Sequence, residues 1–132
     1  PSHAIALTYI AMAQAFAGDD EAARKTASEM QDDALRHKAY GETAEIEAER
    51  GNIEQMKRSL AAIDNDAYRA KSSLTVVKIL ARARLFEAAA DLVQTIENPT
   101  LQTEGLQFIL DRQLPREAVK DNLVHEAEES AP

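Results

Sequence analysis

The sequence has no cysteine and no tryptophan. Without thiols it can build neither a disulfide framework nor a thiolate metal site or nucleophile, and its redox compartment is left open. Only four glycines and four prolines punctuate 132 residues, too few for the many turns of an all-β fold. Aromatic residues make up 5%, so any core must rest on smaller side chains. No apolar run approaches the roughly 18 residues that a membrane-crossing helix needs, so membrane insertion is not expected. Basic residues are outnumbered, 15 against 23 acidic, for a formal net charge of −8. That average repels a phosphate backbone, and nucleic acid is not an expected partner.

What is present is helical in character. Hydrophobic content is 45%, ordinary for a globular chain, and alanine is the commonest residue. Alanine has the best helix propensity and lets helices approach closely, which predicts helix packed on helix. The chain opens on Pro1 rather than methionine. The expectation is that a signal peptide, a tag or further repeats came before it.

The most informative pattern is a repeat of 33 residues. Asp33-Ala34-Leu35-Arg36 recurs as Asp66-Ala67-Tyr68-Arg69. Met30-Gln31-Asp32 recurs as Ile63-Asp64-Asn65 and Ile96-Glu97-Asn98, and Gly18-Asp19-Asp20-Glu21 as Gly51-Asn52-Ile53-Glu54 and Arg84-Leu85-Phe86-Glu87. A fixed period of this length marks stacked supersecondary units, none of which buries its apolar face alone. Each unit reads as two helices, A and B: 3–17 and 20–31, 34–50 and 53–64, 67–84 and 87–97. Period-3.6 apolar spacing supports the B helices, as in Ile53, Met56, Leu60 and Ile63. Gly18 and Gly51 suit the left-handed residue after a helix end. Arg84 replaces that glycine, so the third turn is expected to close differently.

A fourth, atypical unit opens at Asn98-Pro99, with a last helix starting at Pro115 and carrying Val119 and Leu123. The reading is one all-α domain over 1–127, in units of about 2–32, 33–65, 66–98 and 99–127, followed by an acidic tail at 128–132.

Gly18-Asp19 and Gly51-Asn52, the small residues Ala11 and Ala44 seven positions earlier, and Ala23 and Ala89 early in helix B carry a resemblance to tetratricopeptide-type helical repeats. The period is 33 rather than 34, Met30, Ile63 and Ile96 stand where that family has alanine, and its aromatic signature residues are missing. The resemblance implies a right-handed α-solenoid of about four helix-turn-helix repeats that binds protein or peptide on the concave face lined by A helices. It brings no catalytic residues and no cofactor.

Candidate sites follow from position. Lys38, Glu45 and Glu49 fall on the face that the resemblance turns into the groove, and adding the period gives Lys71, Lys78 and Arg82. If equivalent residues sit side by side, Glu45 meets Lys78 and Glu49 meets Arg82, as inter-repeat salt bridges or as a mixed-charge groove for a partner. From Ala4 to Ala17 the first helix is apolar nearly all round, with Ile5, Tyr9, Met12 and Phe16 in one stripe. Such a helix is normally covered on most sides, here by upstream repeats, a second copy of the chain or the carboxyl-terminal segment.

Catalytic and metal readings find little support. His3, His37 and His125 never share i, i+4 spacing and are expected on the surface near helix ends. Ser59, Ser72 and Ser73 lie in helical segments with no nucleophile elbow, and the glycines never cluster into a phosphate loop. The functional expectation is a non-enzymatic scaffold or adaptor. A structural spacer or homo-oligomerisation segment of a longer repeat protein is the alternative, and an accessory domain of an enzyme a third.

Overall fold

The computed structural model describes residues 2–114, and all regular structure there is α-helical. Seven helices follow in order: α1 Ser2–Phe16, α2 Asp20–Ser28, α3 Asp33–Glu49, α4 Ile53–Ala61, α5 Asp66–Arg82, α6 Phe86–Val93 and α7 Pro99–Gln113. Helices α3, α5 and α7 start 33 residues apart, as do α2, α4 and α6. Each long helix forms a hairpin with the short one after it, and the long helices pack in sequence, α1 on α3, α3 on α5 and α5 on α7. No described helix is long and apolar enough to cross a membrane. The last helix expected from Pro115, with Val119 and Leu123, and the acidic tail lie outside the described residues.

Local chemistry sets the starts of the long helices. Asp32, Asn65 and Asn98 each accept a hydrogen bond from the backbone N–H three residues on, at 3.0, 2.9 and 3.1 Å. Those bonds satisfy a donor that the first turn otherwise leaves orphaned. The short helices end three or four residues before the expected positions. Met30, Ile63 and Ile96 are buried just beyond them, each in an i→i−3 bond to the preceding turn. Their apolar spacing is real, but it belongs to a tightened exit turn and not to the helix.

The three hairpin turns are closed in one way. Gly18 N–H donates to Ala15 O at 3.1 Å and Asp19 N–H to Gln14 O at 2.8 Å. Gly51 and Asn52 repeat this on Ala48 and Glu47, and Arg84 and Leu85 on Ala81 and Leu80. This is the paired 5→2 and 6→1 bonding of a left-handed helix terminus. The expected difference at the third turn is therefore corrected: Arg84 takes φ 64°, beside 83° at Gly18 and 75° at Gly51. The bonding demands that conformation whatever residue supplies it. Arg84 accepts the strain while its guanidinium lies 5.0 Å from the Phe86 ring centre.

Most buried side chains form one continuous core from Ala27 and Met30 to Ile109, with Met56, Ile63, Leu80 and Val77 among its largest members. Ala15, Ala23 and Ile46 make a separate small cluster under α1. What divides the two is polar.

Candidate functional site

One exposed face runs across the long helices. Residues 5, 9, 12 and 16 on α1 stand at the same repeat positions as 38, 42, 45 and 49 on α3 and 71, 75, 78 and 82 on α5. All twelve are exposed or partly exposed. Their chemistry changes from helix to helix. On α1 they are Ile5, Tyr9, Met12 and Phe16; on α3 Lys38, Glu42, Glu45 and Glu49; on α5 Lys71, Thr75, Lys78 and Arg82. Tyr9 is 68% exposed, Phe16 64% and Ile5 55%. Met12 is the half-buried member, resting on the Ala15, Ala23 and Ile46 cluster.

The expected cross-helix pairs do not form. Lys78 Nζ lies 2.6 Å from Glu104 Oε2 on α7. Arg82 stacks on Phe108, its guanidinium 5.2 Å from the ring centre, with Arg112 and Lys78 on the same ring at 5.0 and 5.7 Å. Lys38 stays on its own helix, 4.0 Å from Glu42. Register explains the difference. A Cβ at Gly41 would meet Ser72 and Tyr68, and one at Gly105 would meet Leu74 and Val77. Facing residues on neighbouring long helices are thus 27 to 31 apart in these contacts, not 33. Glu45 consequently keeps company with other acids. Burial raises its carboxyl above the ordinary range, and Glu42 and Glu49 push it further. Lys71, at the amino-terminal end of α5, also borders an open depression of about 750 Å³ on the other side of that helix, shared with Lys57, Arg69 and Glu97.

A second uncovered surface runs along the flank of α1. Residues 39, 43 and 46 on α3 and 72 and 76 on α5 are buried, Ile79 partly so. Their equivalents on α1, namely Ala6, Ile10 and Ala13, are all exposed, Ile10 at 47%. Every later long helix has a predecessor at this flank, and among the described residues α1 has none. Leu106 and Leu110 on α7 and Leu114 just after it are exposed, at positions that in earlier units are filled by the partly or fully buried Leu7, Tyr40 and Ser73 and their successors.

Between α2, α3 and α4 lies a buried polar cluster that residue spacing along any one helix does not reveal. Glu47 is fully buried. Its Oε1 accepts the Ser59 hydroxyl at 2.5 Å, and its Oε2 lies 3.2 Å from Arg24 Nη1. The same guanidinium donates to Ser59 Oγ at 3.1 Å, to Gln55 O at 3.3 Å and to Gln55 Oε1 at 2.6 Å. Asp20 sits within hydrogen-bonding reach of Glu47 and is held by both Arg50 nitrogens at 3.2 and 3.3 Å. Arg50 also donates to Ala15 O at 2.7 Å, tying the end of α1 to the group.

Burial pushes Glu47 up to about 7, and the Asp20 carboxylate adds to this against the Ser59 hydrogen bond and the Arg24 charge. Burial opposes Asp20 in the same way, but its hydrogen bonds to Arg50 and Glu47 and the two arginine charges outweigh it and hold Asp20 low. The signal for this cluster lay in the repeat. Adding 33 to Asp20, Glu47, Ser59 and Gln55 gives Ile53, Leu80, Leu92 and Ala88, all apolar.

The catalytic readings meet specific obstacles. Ser59 is fully buried between Glu47 and Arg24, with no face open to a substrate. Ser72 and Ser73 are buried inside α5. His37 is not on the surface as expected. It is buried beside Tyr68, with Nε2 3.3 Å from Asp64 Oδ1. His3 is exposed on α1, and His125 lies outside the described residues. No group of three or more His, Cys, Asp or Glu among the described residues could hold a metal ion. No family model, no curated protein and no solved structure matches the chain.

Proposed function

We propose that the chain is a non-enzymatic interaction module: a right-handed, tetratricopeptide-like α-solenoid of about four helix-turn-helix units that holds a protein or peptide on the face of its long helices. One observation carries this reading. Twelve equivalent positions on α1, α3 and α5 are exposed or partly exposed, yet they change from apolar to mainly acidic to mainly basic. Contiguous exposed apolar side chains, aromatic residues such as Tyr9 and Phe16 among them, are typical of contact surfaces. A complementary segment presents an apolar side chain to α1, a basic residue to Glu42, Glu45 and Glu49, and an acidic one to Lys78 and Arg82. Selecting from a random peptide library on the immobilised chain tests this. Enrichment of that order, lost in Tyr9→Glu and in Glu45→Lys, supports the reading. No enrichment, or enrichment indifferent to both substitutions, contradicts it.

The open flank of α1 favours a second reading, in which the chain stacks on another helical unit, a second copy or an upstream repeat, and serves as a spacer or oligomerisation segment. Ala6 and Ala13 allow close helix approach, and α1 carries no Asp, Glu, Lys or Arg to repel a partner. Sedimentation of the purified chain separates the two: a concentration-dependent dimer abolished by Ile10→Glu supports the stacking reading.

A further inference from the structure

We infer that the joint between the first hairpin (α1 and α2) and the second (α3 and α4) is a pH-responsive hinge, closed while Glu47 carries a proton and loosened when it ionises. The geometry is specific to this joint. Glu47 is fully buried, and the polar groups around it split the apolar core in two. At the next joint the positions of Asp20, Glu47, Ser59 and Gln55 hold Ile53, Leu80, Leu92 and Ala88, and Lys57, which replaces Arg24, is exposed, so the packing there manages without a buried carboxylate. Replacing a buried ionic group by packed apolar residues is often neutral or stabilising, which makes the polar version a device and not a structural need.

The charges are balanced closely enough to respond. Asp20 and Arg24 face Glu47 from α2, and Ser59 donates to it from α4, where the Gln55 amide oxygen accepts from Arg24. Arg50, directly after the last residue of α3, neutralises Asp20. No ionisable group of α1 or α5 is among those acting on Glu47; α1 contributes the Ala15 carbonyl that Arg50 holds. With Glu47 protonated, Asp20 and Glu47 share one negative charge and can hydrogen-bond. With Glu47 ionised, two carboxylates confront each other in a buried site, and the Ser59 hydrogen bond at 2.5 Å and the Arg24 contact at 3.2 Å offset the new charge only in part. Like charges within contact distance cannot both ionise without cost. Opening the joint hydrates Glu47 and removes that cost.

Burial and the Asp20 charge place the change near neutrality, since they push Glu47 up to about 7. Should the long-helix face be the binding surface proposed above, this hinge regulates it, because α1 carries the face's apolar part. The hinge itself does not depend on that reading.

Amide hydrogen exchange tests the inference on the intact chain. The opening of α1 and α2 is measured against that of α5 and α6 from pH 5 to pH 8, after correction for intrinsic rates. The expected result is a relative opening that rises at least about tenfold, following the linkage between protonation and stability. Glu47→Gln should abolish the rise, whereas Glu45→Gln, which removes the other carboxyl raised on α3, should leave it. A flat ratio in the parent chain, or a rise that survives Glu47→Gln, overturns the hinge. If Glu47→Gln does not fold, a carbon-13 titration of the parent Glu47 carboxyl decides. A midpoint near neutrality sustains the inference, and one in the ordinary glutamate range ends it.

Discussion

At the residue scale, the chain's departures from its own period are the informative positions. Arg84 stands in a left-handed turn where the two earlier units have glycine. That conformation costs a non-glycine residue roughly 1–2 kcal/mol, and an exposed guanidinium over Phe86 returns about 0.5 kcal/mol of it. Arg84→Gly should therefore stabilise the chain by about 0.5–1 kcal/mol in urea denaturation. Loss of stability would mean that the Arg84 contacts outweigh the strain. Glu47 is the other departure, and subtracting one unit from the next reveals it: Leu80 marks the position as core. The candidate nucleophile Ser59 was visible as a residue. Its partners Arg24 and Glu47 were not, because they converge from different helices through packing that spacing along one helix does not encode.

At the element scale, the 33-residue period fixed the helix starts closely, since α2 and α4 begin at 20 and 53 as read. Caps explain part of this, because Asn52 on α4 and Asp32, Asn65 and Asn98 on α3, α5 and α7 are local signals with local partners. The helix ends were less legible, as an apolar residue in an exit turn looks like one more residue of a helix. Contacts between elements were least legible. Equal spacing suggested Glu45 beside Lys78, whereas the shift between long helices gives Lys78 to Glu104. Gly105 shows how close that packing is: a Cβ there would stand 2.6 Å from Val93 Cγ2 and 3.4 Å from Leu74 Cδ1. Gly105→Ala should destabilise the chain by about 1–3 kcal/mol despite its better helix propensity, as overpacking generally does. A thermal melt unchanged from the parent would show that α7 sits more loosely on α5 and α6.

At the scale of the whole molecule, stability and surface both follow from these particulars. The folded chain holds Glu47 protonated more readily than the unfolded chain does. Stability should fall as pH rises from the ordinary glutamate value of 4.5 to about 7, then level off. Asp20 acts in the opposite sense, since its carboxyl is held low; its contribution is present above its ordinary value of 3.8 and lost as the solution is acidified below that. Melting temperature should accordingly peak at about pH 4, between those two ordinary values, and decline on both sides. In Glu47→Gln the decline toward neutral pH should shrink while the acid limb stays.

The long-helix face, apolar on α1 and charged on α3 and α5, is the surface proposed to meet another molecule. Site-specific photo-crosslinking in the native cell tests it most directly, with a photoreactive residue in place of Tyr9, of Thr75, or of Arg58 on the exposed side of α4. The account predicts one shared adduct of defined mass from the Tyr9 and Thr75 positions, and none of that mass from Arg58. Adducts from Arg58 alone, or none from either long-helix position, would contradict it.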